Sequence, residues 1–179
     1  MFSEAQQRAL VAIARAAVLS AVTGRELLAD PPPGELPPAT GAFVTLTRGG
    51  ALRGCIGTLE CRAPLADEIA HVAICAARED PRFEPVSASE LDGLLIELSI
   101  LGPLERIDPH DAEAIVIGCH GLVVEQGRRR GLLLPQVAEQ RGWDRDVFLA
   151  QTCHKAGLAL DAWRRGAVVY RFSAEVFGD

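Results

Sequence analysis

The sequence predicts an α+β fold in which β-hairpins form a mainly antiparallel sheet and helices pack against it. Short runs of alternating apolar residues are joined by glycine-containing turns, as in hairpins. Segments with the apolar period of a helix are interleaved with these runs. Because the strands arrive as hairpins, an antiparallel sheet is favoured over a doubly wound parallel one. We expect a single domain over 1–179, whose main body, 42–177, is open to division into two subdomains.

The chain begins with a predicted helix followed by an extended connector. Ser3 and Gln6 match a capping box, and the helical apolar period continues up to Gly24, a typical end signal. These features predict a helix over 3–23. Segment 30–41 contains five prolines and therefore predicts a rigid connector without regular structure.

The first predicted hairpin consists of strands over 42–47 and 51–58, joined by Arg48-Gly49-Gly50. The later elements follow from the same signals of period, capping and turn residues. In order, they are a helix over 64–78, a strand over 94–101, short strands over 115–117, 121–125 and 131–134, a helix over 135–141, a helix capped by Asp144 that ends near Gly157, and a closing strand over 167–172.

The second strand of this hairpin contains the most informative segment, Leu52-Arg53-Gly54-Cys55-Ile56-Gly57-Thr58. Strand alternation places Arg53, Cys55 and Gly57 on one face. Glycine within a strand marks the close approach of a ligand or another backbone, so Gly54 and Gly57 suggest access to the thiol. A neighbouring guanidinium favours the thiolate, the nucleophilic form. Unpaired cysteine is also a common packing residue, and both interpretations stay open.

Composition excludes several classes of protein. With 179 residues, of which 49% are hydrophobic, the chain can form a substantial core, and no apolar run is long enough to span a membrane. The odd number of five cysteines favours reduced thiols and hence a cytoplasmic location. The net charge of −6 argues against broad nucleic-acid binding.

Two local patterns have both a functional and a structural interpretation. Arg128-Arg129-Arg130 is the most concentrated basic run, and it fits a solvated hairpin tip better than a phosphate site. Cys119-His120 and Cys153-His154 could supply zinc ligands, but adjacent residues of a strand or helix point in different directions. We predict no metal site, no cofactor and no nucleic-acid partner.

A set of short segments, found in order along the chain, resembles one protein family. They are LRGCIG at 52–57, DPRF at 80–83, Glu90-Leu91, His120-Gly121, LLPQV at 133–137, Gly142-Trp143 and Lys155-Ala156-Gly157. On these segments the chain is identified as similar to the AMMECR-type domain family, also called AmmeMemoRadiSam system protein A. The resemblance implies an α+β fold with a larger α/β part, a smaller subdomain and the LRGCIG segment near a groove. It also implies radical SAM and Memo-type partner proteins, beside which such proteins are often encoded.

The resemblance further implies a cleft around Cys55 that is formed by the motif residues. Cys55, His120 and Lys155 are the expected chemical groups, and the expected ligand-binding residues are Arg53, Gly54, Gly57, Asp80, Arg82 and Phe83. Each also has a structural interpretation: Asp80 and Arg82 can brace a loop, Phe83 can belong to the core, His120 can be a turn residue, and Lys155 can favour the C-terminal end of a helix.

Two functions remain open at this point. In the first, the chain is an accessory or catalytic component of a modification system with the radical SAM and Memo-type proteins, in which Cys55 performs thiolate chemistry and His120 or His154 moves protons. In the second, the chain is a non-catalytic binding or adaptor module. Its cleft would then hold an anionic small molecule or a segment of a partner protein, because cations beside an aromatic ring suit a carboxylate or phosphate.

Overall fold

The structure is a computed structural model that describes all residues from 1 to 179. It contains four α-helices and seven β-strands, and the strand pairings between β1 and β2, β1 and β3, β4 and β7, β5 and β6, and β5 and β7 are all antiparallel. The predicted α+β class is confirmed. The chain divides into two compact units, one comprising 1–101 together with 175–179 and the other comprising 102–174.

The first unit contains two α-helices packed on an antiparallel sheet. Its strands are ordered β2-β1-β3, and β2 lies at an edge. One core includes Leu10 of α1, Ile69 of α2 and Val44 of β1, all fully buried. The elements are α1 (Glu4–Thr23), β1 (Gly41–Arg48), β2 (Ala51–Thr58), α2 (Leu65–Arg78), a 3-10 turn (Ala88–Glu90) and β3 (Leu94–Leu101).

The ends of α1 follow the sequence signals directly. The Ser3 side chain accepts a hydrogen bond from the Gln6 backbone N–H, and the Gln6 side chain accepts one from the Ser3 backbone N–H. Gly24 ends the helix at φ 70°, a conformation that glycine adopts without steric cost. The predicted capping box and glycine stop are therefore confirmed.

The second unit has its own core, in which Leu122 and Phe148 are fully buried. Its strands are ordered β4-β7-β5-β6, with residues 168–174 of β7 in this unit and residues 175–178 in the first. The elements are β4 (Glu105–Ile107), β5 (His120–Gln126), β6 (Arg129–Leu133), α3 (Pro135–Arg141), α4 (Arg145–Lys155), a 3-10 turn (Ala162–Arg164) and β7 (Val168–Gly178).

The predicted short strand over 115–117 is wrong, because the backbone groups of this segment bond locally. The Val116 N–H donates to Nδ1 of His120 at 3.0 Å, and the Val116 carbonyl accepts from the N–H groups of Cys119 and His120. Val116, the central residue of the segment, therefore has neither backbone group left for a ladder. Strand β4 was not predicted. Strand β7 continues six residues beyond its predicted end at 172. None of the helices has both the length and the apolar character that a membrane crossing needs.

Candidate functional site

The position of β2 is set by close backbone packing against α2. A Cβ added at Gly54 would lie 2.2 Å from the carbonyl oxygen of Ala76, and one added at Gly57 would lie 2.3 Å from the Phe43 ring. These contacts correct the expectation that the two glycines give access to the thiol. Gly54 lets a helix carbonyl approach the strand, and Gly57 makes room for an aromatic side chain of β1.

Arg53 occupies an irregularity in the β1–β2 ladder. Leu46 pairs with Gly54 and Thr47 pairs with Leu52, so Arg53 is the extra residue of a β-bulge. A bulge redirects the side chains near it and increases the local twist. The Arg53 guanidinium donates two hydrogen bonds to Glu90, from Nε at 2.6 Å and from Nη2 at 3.1 Å.

Cys55 is partly exposed, and its sulfur has one polar side-chain partner. Thr45, its direct cross-strand neighbour on β1, donates a hydrogen bond from Oγ1 to Sγ at 3.4 Å. Glu97 of β3 is the residue paired with Thr45 on the other side, and its exposed side chain extends this cross-strand row.

An ion pair between Asp80 and Arg82 holds the backbone of Cys55. Asp80 Oδ2 accepts the Cys55 N–H at 2.8 Å, and Arg82 Nη2 donates to the Cys55 carbonyl at 3.2 Å. Arg82 also donates to Asp80 from Nε at 2.9 Å and from Nη2 at 2.6 Å. The pair thus satisfies both outward backbone groups of an edge-strand residue, as a neighbouring strand would.

The charges of this pair are strongly coupled. Hydrogen bonds from Arg82 hold the pKa of Asp80 well below its usual range, against the opposing effect of burial. The hydrogen bond to Asp80 raises the pKa of Arg82, and its electrostatic interaction with Cys55 acts in the same direction. Arg82, rather than the expected Arg53, is the arginine that contacts Cys55, through the backbone carbonyl, whereas Arg53 is paired with Glu90. The Arg82 side chain is 54% exposed, whereas that of Asp80 is 3% exposed.

Phe83 lies between the two arginines. The Cζ atom of Arg82 is 5.4 Å from the ring centroid, and that of Arg53 is 5.9 Å away, both within cation–π range. The structure thus brings together one set of predicted site residues within the first unit. These are Arg53, Gly54, Cys55, Gly57, Asp80, Arg82 and Phe83.

His120 and Lys155 both belong to the second unit. His120 Nδ1 accepts the Val116 N–H, so the neutral ring carries its proton on Nε2. Burial lowers the pKa of His120, the Arg171 charge lowers it further, and Glu105 opposes this shift. A neutral ring fixed in this tautomer can donate a hydrogen bond from Nε2, but it has no free lone pair with which to accept a proton. Its clearest role is to brace the turn that precedes β5.

Several other residues singled out in the sequence lie at or near the C-terminal end of α4. Lys155 and His154 are exposed in the last turn, and burial raises the pKa of Cys153. Arg129 Nη1 donates to the carbonyl of Gly157 at 2.7 Å, one residue beyond the C-cap Ala156, and so places a positive charge near the C-terminal end of the helix. All three arginines of the run are exposed, as expected for a hairpin tip, but Arg129 contacts Gly157 and Arg130 pairs with Glu125.

The remaining cysteines differ in exposure, and none is in a disulfide. Cys119 is exposed and Cys75 is buried. Burial raises the pKa of Cys75 and of Cys61, which favours the neutral thiol. No three His, Cys, Asp or Glu side chains come together as potential metal ligands.

Comparison with known proteins places the chain in a family. The profile of the AMMECR1 family matches residues 11–177. This chain belongs to the AMMECR1 family. A protein of Methanothermobacter thermautotrophicus is 44% identical over 182 residues, covering 98% of this chain and 95% of that protein. A protein of Methanosarcina acetivorans is 43% identical, covering 99% and 93%. The crystal structure of uncharacterized protein PH0010 from Pyrococcus horikoshii is similar, with a TM-score of 0.86, 42% identity and coverage of 100% of this chain and 93% of that one.

Three residues of this AMMECR1 site were not predicted from the sequence to be site residues. Thr45 contacts the sulfur, Glu90 neutralises Arg53, and Glu97 lies in the same cross-strand row as Cys55. The pairing of 45 with 55 could have been derived from the hairpin, but the bulge at Arg53 shifts the register. Glu90 lies 37 residues from Arg53, and no local pattern connects them.

Proposed function

We propose that Cys55 is the functional thiol of this AMMECR1-family chain, acting as an accessory or catalytic component of a modification system with radical SAM and Memo-type proteins. One observation carries the proposal. Cys55 is partly exposed, and its N–H, its carbonyl and its sulfur all have polar side-chain partners, namely Asp80, Arg82 and Thr45. Such support fixes the position of a reactive group, whereas a packing cysteine does not need it.

The surroundings of Cys55 favour displacement over acyl transfer. Acyl transfer needs hydrogen-bond donors aimed at a developing oxyanion, and the Cys55 N–H already donates to Asp80. Displacement at a saturated carbon needs no such donors. The thiol first loses its proton to solvent, the sulfur–carbon bond then forms as the bond from carbon to the leaving group breaks, and the leaving group departs with that electron pair.

Alkylation kinetics test this proposal. We expect iodoacetamide to modify Cys55 at neutral pH at least about fivefold faster than an unstructured peptide thiol, because Cys55 is partly exposed and its sulfur and backbone are held in place by Thr45, Asp80 and Arg82. Peptide mapping by mass spectrometry follows each cysteine separately, and the exposed Cys119 provides an internal reference. Thr45→Val should slow the reaction of Cys55 and leave that of Cys119 unchanged. Reaction of Cys55 at or below the rate of the peptide thiol would refute the proposal.

The second candidate function is a binding or adaptor module. The half-exposed Arg82 guanidinium beside the Phe83 ring favours it, because such pairs are common at binding surfaces. The occupant would be a segment of a partner protein or a small anion, although both arginines of the site already have carboxylate partners. Binding to purified Memo-type and radical SAM proteins separates the two functions. An adaptor keeps its affinity in Cys55→Ser and loses it in Phe83→Ala.

A cytoplasmic location is part of the proposal. The odd number of five cysteines supports a reducing compartment, in which Cys55 stays available as a thiol.

A further inference from the structure

The charged groups around Cys55 are balanced. Each of the two arginines makes two hydrogen bonds to one carboxylate, Arg53 to Glu90 and Arg82 to Asp80. The closest nitrogen–oxygen distance is 2.6 Å in both pairs. At such separations the two charges act on a more distant ion as a weak dipole, because their potentials largely cancel.

Both carboxylates stay ionised over the physiological pH range. Arg82 holds the pKa of Asp80 well below its usual range, and hydrogen bonds from Arg53 and Ser87 lower the pKa of Glu90 to about 2. The charge balance is therefore a permanent feature of the site.

Two further acidic side chains near these residues add negative charge. Glu84 is close enough to Arg53 to interact with it electrostatically. Glu97 is exposed in the cross-strand row that contains Thr45 and Cys55. Both arginines are already paired at short distance with Glu90 and Asp80, so Glu84 and Glu97 add negative charge that no further arginine of the site balances.

We propose that the Cys55 site selects a thiol-reactive substrate without net negative charge, and that Asp80 and Glu90 are the residues that set this selectivity. The inference rests on the proposed function, since it names the substrate class of the same thiol. It differs from the expectation of an anionic ligand, which assumed that the guanidinium groups are free. Both guanidinium groups instead have partners within the protein. Arg82 binds the Cys55 carbonyl, and both arginines lie against the Phe83 ring.

Two alkylating reagents of nearly equal size test the inference. Iodoacetamide is uncharged and iodoacetate is an anion, and both transfer a substituted methyl group to sulfur with loss of iodide. The measured quantity is the ratio of the two rate constants at Cys55, divided by the same ratio for an unstructured peptide thiol. We expect wild-type protein to match the peptide or to favour iodoacetamide. Asp80→Asn and Glu90→Gln each release a guanidinium and should shift the ratio toward iodoacetate by roughly threefold or more at low salt.

Matched variants keep the test decisive. Glu4→Gln removes the same charge from α1, where Glu4 pairs only with Arg8, and should leave the ratio unchanged. If Asp80→Asn does not fold, Glu90→Gln alone decides the outcome, because Glu90 makes no contact with the Cys55 backbone. A wild-type preference for iodoacetate, or ratios that do not respond to either substitution, would overturn the inference and leave the proposed function standing. Slow reaction with both reagents would instead refute the proposed function and the inference with it.

Discussion

Gly54 of β2 packs directly on the carbonyl oxygen of Ala76 in the last turn of α2, with room for no atom between them. The contact fixes how closely the helix and the strand approach. It also sets the backbone of the next residue, Cys55, whose N–H and carbonyl point outward to Asp80 and Arg82. Packing on one side of the strand thus determines where the thiol lies on the other.

Gly54→Ala should destabilise the protein substantially. The added Cβ would lie 2.2 Å from a backbone oxygen, which cannot rotate away as a side chain can. We expect a loss of at least about 2 kcal/mol in the free energy of unfolding, at the upper end of the range for overpacked sites. Urea unfolding measures it. Leu52→Ala, at a 42% exposed position of the same strand, is the control and should cost less than about 1 kcal/mol.

Acid should weaken the protein through Glu90. Hydrogen bonds from Arg53 lower the pKa of Glu90 from 4.5 to about 2, so its stabilising contribution is complete above pH 4.5 and is lost as the pH falls toward 2. Glu90→Gln lacks this contribution. The difference in free energy of unfolding between wild type and this variant should therefore be largest at neutral pH and shrink between pH 4.5 and 2. A difference that stays constant over this range would contradict the assignment.

His120 should act as a hydrogen-bond acceptor that supports a turn. His120→Ala leaves the Val116 N–H without its partner at Nδ1 and should cost about 1 kcal/mol. His120→Asn places an amide oxygen close to the Nδ1 position and should recover part of this loss. Nitrogen NMR of the wild-type ring should show the proton on Nε2 at pH 7. Protonation of Nδ1 at that pH, or equal losses in the two variants, would show that the ring has another role.

Arg129 should stabilise the C-terminal end of α4. Its guanidinium donates to the Gly157 carbonyl, and a cation at this end of a helix is favourable by about 0.3–1 kcal/mol. Arg129→Ala should lower the melting temperature measurably, with a smaller effect at high salt. Arg128→Ala removes the same charge from the adjacent exposed residue and should have little effect. Equal effects of the two substitutions would point to net charge rather than to the specific bond with Gly157.

Local signals in the sequence were sufficient for the elements that depend on local physics. The capping box of Ser3 and Gln6, the end of α1 at Gly24, and the start of α4 at Asp144 each depend on contacts within a few residues, and all three are present. The 115–117 segment shows the opposite case. Its apolar residues resemble a strand, but a histidine side chain four residues after Val116 takes the backbone N–H.

In the candidate site, too, the sequence predicted the local features but not the contacts between distant residues. The sequence indicated which residues to examine: the segment around Cys55 through its glycine-flanked thiol, and the segment from Asp80 to Phe83 through the family resemblance. It could not indicate how they pair. The expected partner of the thiol was Arg53, two residues away, but the bulge and Glu90 direct that guanidinium elsewhere, and Arg82 instead donates a hydrogen bond to the Cys55 carbonyl.

By itself, the sequence determined the α+β class, the order of most helices and strands, and the family to which the chain belongs, since these follow from hydrophobic period, capping residues and short motifs. Only the tertiary structure decided the charge state of the site and the role of its glycines. Ion pairs such as Arg53–Glu90 and close contacts such as Gly54–Ala76 join residues 22 to 37 positions apart, and their geometry depends on how the strand packs against the helix.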